Sequence, residues 1–130
     1  MKPIYLAAIA ALWPLSAQAE DCEAAVTQAD LTECSWADWQ AADAELNAAW
    51  KGAVAVMKAI DADLPEEEQG AVKNLRTGQR AWIEFRDANC LAEGYLMHGG
   101  SAEPMLVYGC MAQLTRTRTA DLVLMASDGM

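Results

Sequence analysis

The chain has 130 residues, a net charge of −10 at pH 7 and a hydrophobic fraction of 54%. That length holds one small domain with its own core. The excess of acid excludes the basic footprint that nucleic-acid binders need, and it disfavours anionic membrane surfaces.

Residues 1–19 read as a leader rather than as part of the fold. Lys2 gives a short positive start, residues 4–15 are almost wholly apolar, and Ala17-Gln18-Ala19 supplies a small-x-small cleavage site. The apolar run is shorter than the ~20 residues of a membrane-spanning helix. Ala19 is followed by Glu20 and not by cysteine, so neither a membrane anchor nor a lipid anchor is expected. The expected product is a soluble periplasmic domain of residues 20–130. Loss of Lys2 leaves eight of the nine Lys and Arg residues against 19 Asp and Glu, a net charge of −11. Such a charge steers a cationic partner toward the surface, although acidity more often serves solubility.

Cys22, Cys34, Cys90 and Cys110 all lie in the exported part, and an even count in a small secreted domain implies two disulfides. No CxxC pair occurs and His98 is the only histidine, so neither a zinc site nor a redox dithiol is expected.

After a short lead-in, Thr27 is an N-cap residue for a first helix over about 28–60. Leu31, Trp39, Ala42, Leu46, Trp50, Ala53, Met57 and Ile60 recur there at three- and four-residue steps, with a break expected near Cys34-Ser35. The acidic connection follows. Asp63 reads as the cap of a second helix over about 65–97, Pro65 as part of its first turn, and Glu66, Glu67 and Glu68 as complements to its positive end. Leu75, Trp82, Phe85 and Cys90 fall toward its buried side, and Gly70 and Gly78 offer close helix approach. His98-Gly99-Gly100-Ser101 breaks the pattern, and Ser101 is expected to cap a third helix over about 102–126 with Pro104 in its first turn. Val107, Cys110, Met111, Leu114, Leu122 and Met125 mark that helix's apolar stripe, and Gly129 follows its end. The expected fold is all-α: a small, disulfide-stapled, antiparallel bundle of three main helices.

If the second and third helices fold back about Gly99-Gly100, Cys90 and Cys110 are equidistant from the turn and face each other, which leaves Cys22 with Cys34. Pairing of Cys34 with Cys90 and of Cys22 with Cys110 is the alternative. The same folding back about Leu64 sets Arg86 beside Asp43, for an ion pair, and Trp82 opposite Leu46, in the core.

Catalytic constellations are thin. His98 has only Ser101 near it in a glycine-rich turn, no nucleophile elbow is present, and no pair of carboxylates has split environments. No phosphate loop, dinucleotide motif or calcium loop appears, so no cofactor or metal is expected. Among the tryptophans, Trp36 alone has a surface phase in the helical pattern.

Asp21-Cys22, Thr27 with Cys34, residues 42–47, Gln79-Arg80-Ala81-Trp82 through Arg86-Asp87-Ala88-Asn89-Cys90, Gly99-Gly100-Ser101, and Cys110 with Leu114-Thr115 and Arg118 together resemble the lysozyme-inhibitor LprI-like domain family. The resemblance implies a non-enzymatic exported binding protein, acting on lysozyme or another basic envelope protein. A structural or stress-related envelope module without lysozyme activity is the other function it leaves open. Two segments are expected to make contact: the His98, Gly99, Gly100, Ser101 loop, which could enter a lysozyme cleft, and the acidic connection with Asp61, Asp63, Glu66, Glu67 and Glu68.

Overall fold

A computed structural model describes residues 22–128. The predicted leader, its cleavage site and Gly129 lie outside them. Three α-helices carry the fold: α1 (Gln28–Asp63), α2 (Ala71–Gly94) and α3 (Glu103–Asp128), with short 3₁₀ turns at Glu66–Glu68 and Tyr95–Met97. No strand occurs among the described residues.

Thr27 starts α1 through a reciprocal capping box. The Asp30 backbone N–H donates to its hydroxyl at 3.2 Å, and its own N–H donates to the Asp30 carboxylate at 3.2 Å. The helix then runs unbroken through Cys34 and Ser35. Ser35 caps nothing, because its hydroxyl donates to the Leu31 carbonyl one turn back, at 3.0 Å. Pro65 biases Leu64 into extended backbone and thereby ends α1.

The start of α2 departs from expectation. It begins at Ala71, not near 65, and Asp63 is the last residue of α1 rather than a cap. Asp61 caps α2 from across the turn: its Oδ1 accepts from Gly70 N–H at 2.9 Å and Ala71 N–H at 2.8 Å, and its Oδ2 from Val72 N–H at 3.1 Å. These donors stabilise the ionised carboxylate and hold its pKa below the ordinary value. Ser101 likewise does not cap α3, since its hydroxyl makes no hydrogen bond among the described residues. Pro104 does sit in the first turn of α3.

Consecutive helices are antiparallel, so α1 and α3 run side by side in the same direction. Gln28 Nε2 lies 3.5 Å from Met105 Sδ near one end, Arg116 Nη1 donates to Asp38 Oδ2 at 2.9 Å further along, and a Cβ on Gly52 would meet Ala126 Cβ at 3.9 Å. The core has two halves. Leu46, Ala53, Leu75 and Leu122 form one with Trp50 and Trp82; Cys90, Cys110 and Met111 form the other with Trp39 and Leu114. Phe85 belongs to neither and is 57% exposed.

The buried Arg86 joins the two halves. Its guanidinium carbon lies 5.1 Å from the Trp82 ring centre and 5.6 Å from that of Trp39. It reaches Asp43 at 3.6 Å, Asp87 at 2.8 Å and the Thr115 hydroxyl at 3.3 Å. The disulfides are Cys22–Cys34 and Cys90–Cys110. Gly78 approaches no other helix among the described residues, none of which lies within 4 Å of a Cβ placed there. The close approach is at Gly94, where a Cβ would meet Val107 Cγ2 at 2.6 Å.

Candidate functional site

The 98–101 loop is held in one shape by its neighbours. His98 stacks on Tyr95, with ring centres 4.4 Å apart and planes within 6°. Gly99 takes φ +76°, a left-handed conformation that suits glycine. Glu103, in the first turn of α3, reaches back to close the loop. Its Oε2 accepts from Gly99 N–H at 2.8 Å and its Oε1 lies 3.2 Å from His98 Nδ1. The Gly99 N–H, with a smaller contribution from His98, holds the Glu103 carboxyl below the usual carboxylate range. Glu103 was not among the expected site residues; its position five residues after His98 and just before Pro104 was the available signal.

Ser101 borders an open, mainly apolar hollow of about 600 Å³ between the start of α1 and the start of α3. Thr32, Glu33 and Trp36 line it from α1, and Pro104 and Tyr108 from α3. Trp36 is 47% exposed, in keeping with its surface phase.

The acidic connection lies at the other end of the bundle. Gln28 neighbours Met105 beside the loop, whereas Asp61 caps α2; the 33 intervening steps of α1 cover roughly 50 Å at 1.5 Å each. The two expected contact segments are therefore not brought together. Asp61 is committed to three backbone donors, while Asp63, Glu66, Glu67 and Glu68 are exposed and carry no ion pair among the described residues. Asp43, Trp82 and Arg86 lie together within the bundle, where they hold helices to one another. No cluster of His, Cys, Asp and Glu with metal-site geometry occurs among the described residues. No helix among them is long and apolar enough to cross a membrane.

Fold and site define a disulfide-braced three-helix domain with a fixed glycine loop at one end and an acidic turn at the other. The chain belongs to the lysozyme inhibitor LprI family, whose sequence profile matches residues 19–122. An uncharacterized protein of Rhizobium meliloti (strain 1021) is 50% identical over 105 residues, covering 78% of this chain and 76% of its own length. No solved structure matches the chain. Family membership supports a lysozyme-inhibitor-like role at family level.

Proposed function

We propose that residues 1–19 are a cleaved leader and that residues 20–130 act in the periplasm as a stoichiometric inhibitor of basic C-type lysozyme. Membership in the inhibitor family is the observation that carries this reading. Two disulfides fit an oxidising compartment. The net charge of −11 that residues 20–130 carry without Lys2 (8 Lys and Arg against 19 Asp and Glu) draws a basic enzyme in over a Debye length of ~8 Å at physiological salt. The 98–101 loop is the inserting element: Glu103 and Tyr95 fix its shape beforehand, which lowers the ordering cost of binding. Ser101 offers to the two catalytic carboxylates of a glycosidase cleft a hydroxyl that makes no hydrogen bond among the described residues.

Lysis of peptidoglycan by a C-type lysozyme, followed at low salt with increasing mature protein, tests the proposal. Undiminished lysis contradicts it. Inhibition that survives both Ser101→Ala and deletion of Gly100 removes the loop from the account and transfers the contact to the acidic turn at Asp63 and Glu66–Glu68.

A second reading, an envelope interaction module without lysozyme activity, is favoured by one observation. Around the end of α2, Leu91 is 57%, Tyr95 67% and Leu96 77% exposed, an apolar run suited to another envelope protein. Retention of an envelope protein other than lysozyme on immobilised mature chain, lost on Leu96→Ser, is the outcome that reading requires.

A further inference from the structure

The cations of this acidic chain are not spread evenly. Arg86 is bound within the bundle, Arg116 is paired with Asp38, and Arg118 donates to Gln79 Oε1 at 2.9 Å. The others that follow the leader are Lys51, Lys58, Lys73, Arg76 and Arg80. All of them are exposed, and none of their side chains makes an ion pair or hydrogen bond among the described residues.

Lys73, Arg76 and Arg80 stand at i, i+3 and i+7 and so share one face of α2. Arg76 and Arg80 each line two adjoining hollows along the α1–α2 side. One, of about 450 Å³, includes Asp43 and Asn47 of α1; the other, of about 540 Å³, includes Asp61, Lys73 and Thr77. Lys51, one turn beyond Asn47, and Lys58, one turn before Asp61, line neither hollow.

The carboxylates in these hollows are already engaged. Asp43 lies 3.6 Å from Arg86, and Asp61 accepts three backbone N–H groups at the start of α2. Those same bonds occupy the amides of Gly70, Ala71 and Val72, so the positive charge of this face comes from side chains. Glu84, one turn beyond Arg80, bounds the strip. Elsewhere the chain is negative and repels an extended polyanion, which restricts the occupant to something compact. Lys73 and Arg80 are separated by roughly 10 Å along the helix axis, room for more than one oxyanion. The planar fork of arginine matches phosphate in two-point contacts.

We propose that the α1–α2 face, through Lys73, Arg76 and Arg80, binds a compact ligand carrying two or more phosphate groups. This inference does not depend on lysozyme inhibition. The shared chemistry fits a free oligophosphate or a phosphorylated lipid headgroup, and the two are separable.

The test is calorimetric titration of the mature chain with tripolyphosphate, alongside co-sedimentation with vesicles of phosphatidylcholine containing cardiolipin, whose headgroup carries two phosphates. Two double variants are compared: Arg76→Gln/Arg80→Gln, and a charge-matched control, Gln40→Glu/Gln113→Glu, whose sites are exposed on α1 and α3. Binding of tripolyphosphate that falls about tenfold or more in the arginine variant, as expected when a charged contact is lost, and at most about twofold in the control supports the site. Binding to vesicles alone, with the same dependence, supports it with a lipid headgroup as the ligand. Failure to bind either probe, or an equal fall in both variants, overturns it.

Discussion

The guanidinium of Arg86 lies over the ring of Trp82, 5.1 Å from its centre, inside a bundle whose two core halves meet at that point. Trp39 flanks the same cation from the other half, so one charged side chain bridges α1 and α2 while its Nη1 reaches Thr115 of α3. Arg86→Ala strips this junction of a buried side chain and its two ring contacts, and is expected to cost roughly 2–3 kcal/mol, chiefly in packing and cation–π contact because Asp43 and Asp87 are 42% and 46% exposed. Arg86→Lys keeps the charge but loses the fork, and is expected to cost about 1–2 kcal/mol. Urea unfolding at pH 7 measures both, and an Arg86→Ala midpoint equal to wild type contradicts the assigned role.

Asp61 makes folding sensitive to acid. Its folded pKa lies below the ordinary carboxylate value through the N–H groups of Val72, Ala71 and Gly70, and those of Asp30, Asp38 and Glu103 are depressed by their own partners. A depressed carboxylate contributes stability that is present above its unfolded pKa and is lost as pH falls through the folded value. The melting temperature is therefore expected to stay level from pH 7 to about 5 and to drop below about pH 4. Asp61→Asn should melt lower at pH 7 and lose less on further acidification. Parallel melting curves for the two proteins across that range speak against the cap.

Cys90–Cys110 closes a loop of sequence separation 20 around the 98–101 turn. Its replacement by two serines is expected to destabilise the domain by ~3 kcal/mol in the chain-entropy picture and to loosen the loop that Glu103 fixes. Cys22–Cys34 ties the lead-in to α1 outside both core halves, so its loss should affect hydrogen exchange near residues 22–34 more than the global transition. Equal effects of the two double substitutions on global unfolding would contradict this division.

Two glycines of α2 should respond to alanine in opposite directions. Gly78 has open space around it in the helix interior, and Gly78→Ala is expected to stabilise by up to ~1 kcal/mol. Gly94 faces Val107 Cγ2 at 2.6 Å, and Gly94→Ala is expected to destabilise by about 1–3 kcal/mol through overpacking. Chemical denaturation of both variants reads the sign directly.

The apolar periodicity made the three helices legible, and folding the second helix back on the first and third brought Asp43 to Arg86 and Cys90 to Cys110. Capping was read less well, because a cap was sought among immediate neighbours: Asp63 and Ser101 have the right chemistry, but the carboxylate that serves α2 comes from Asp61, ten residues before Ala71. Phe85 misled because a helical stripe gives the phase of a side chain and not the reach of the neighbouring helix. α2 packs less extensively on its neighbours than α1 and α3 do on each other, which leaves that ring in solvent. Arg76 and Arg80 stand out only in the structure, which places their neighbouring acids, Asp43 and Asp61, in other bonds. For the 98–101 loop the sequence identified the glycines, while the closure by Glu103 depends on where α3 begins.

Calorimetric titration of a C-type lysozyme with residues 20–130, at two ionic strengths, tests the proposed function most directly. One-to-one binding is expected at low salt, weakening as salt rises because the −11 charge of residues 20–130 (8 Lys and Arg against 19 Asp and Glu) attracts the enzyme. Ser101→Ala should lower the affinity while leaving the salt dependence in place. Absence of measurable binding at low salt would contradict lysozyme inhibition as the activity of this chain.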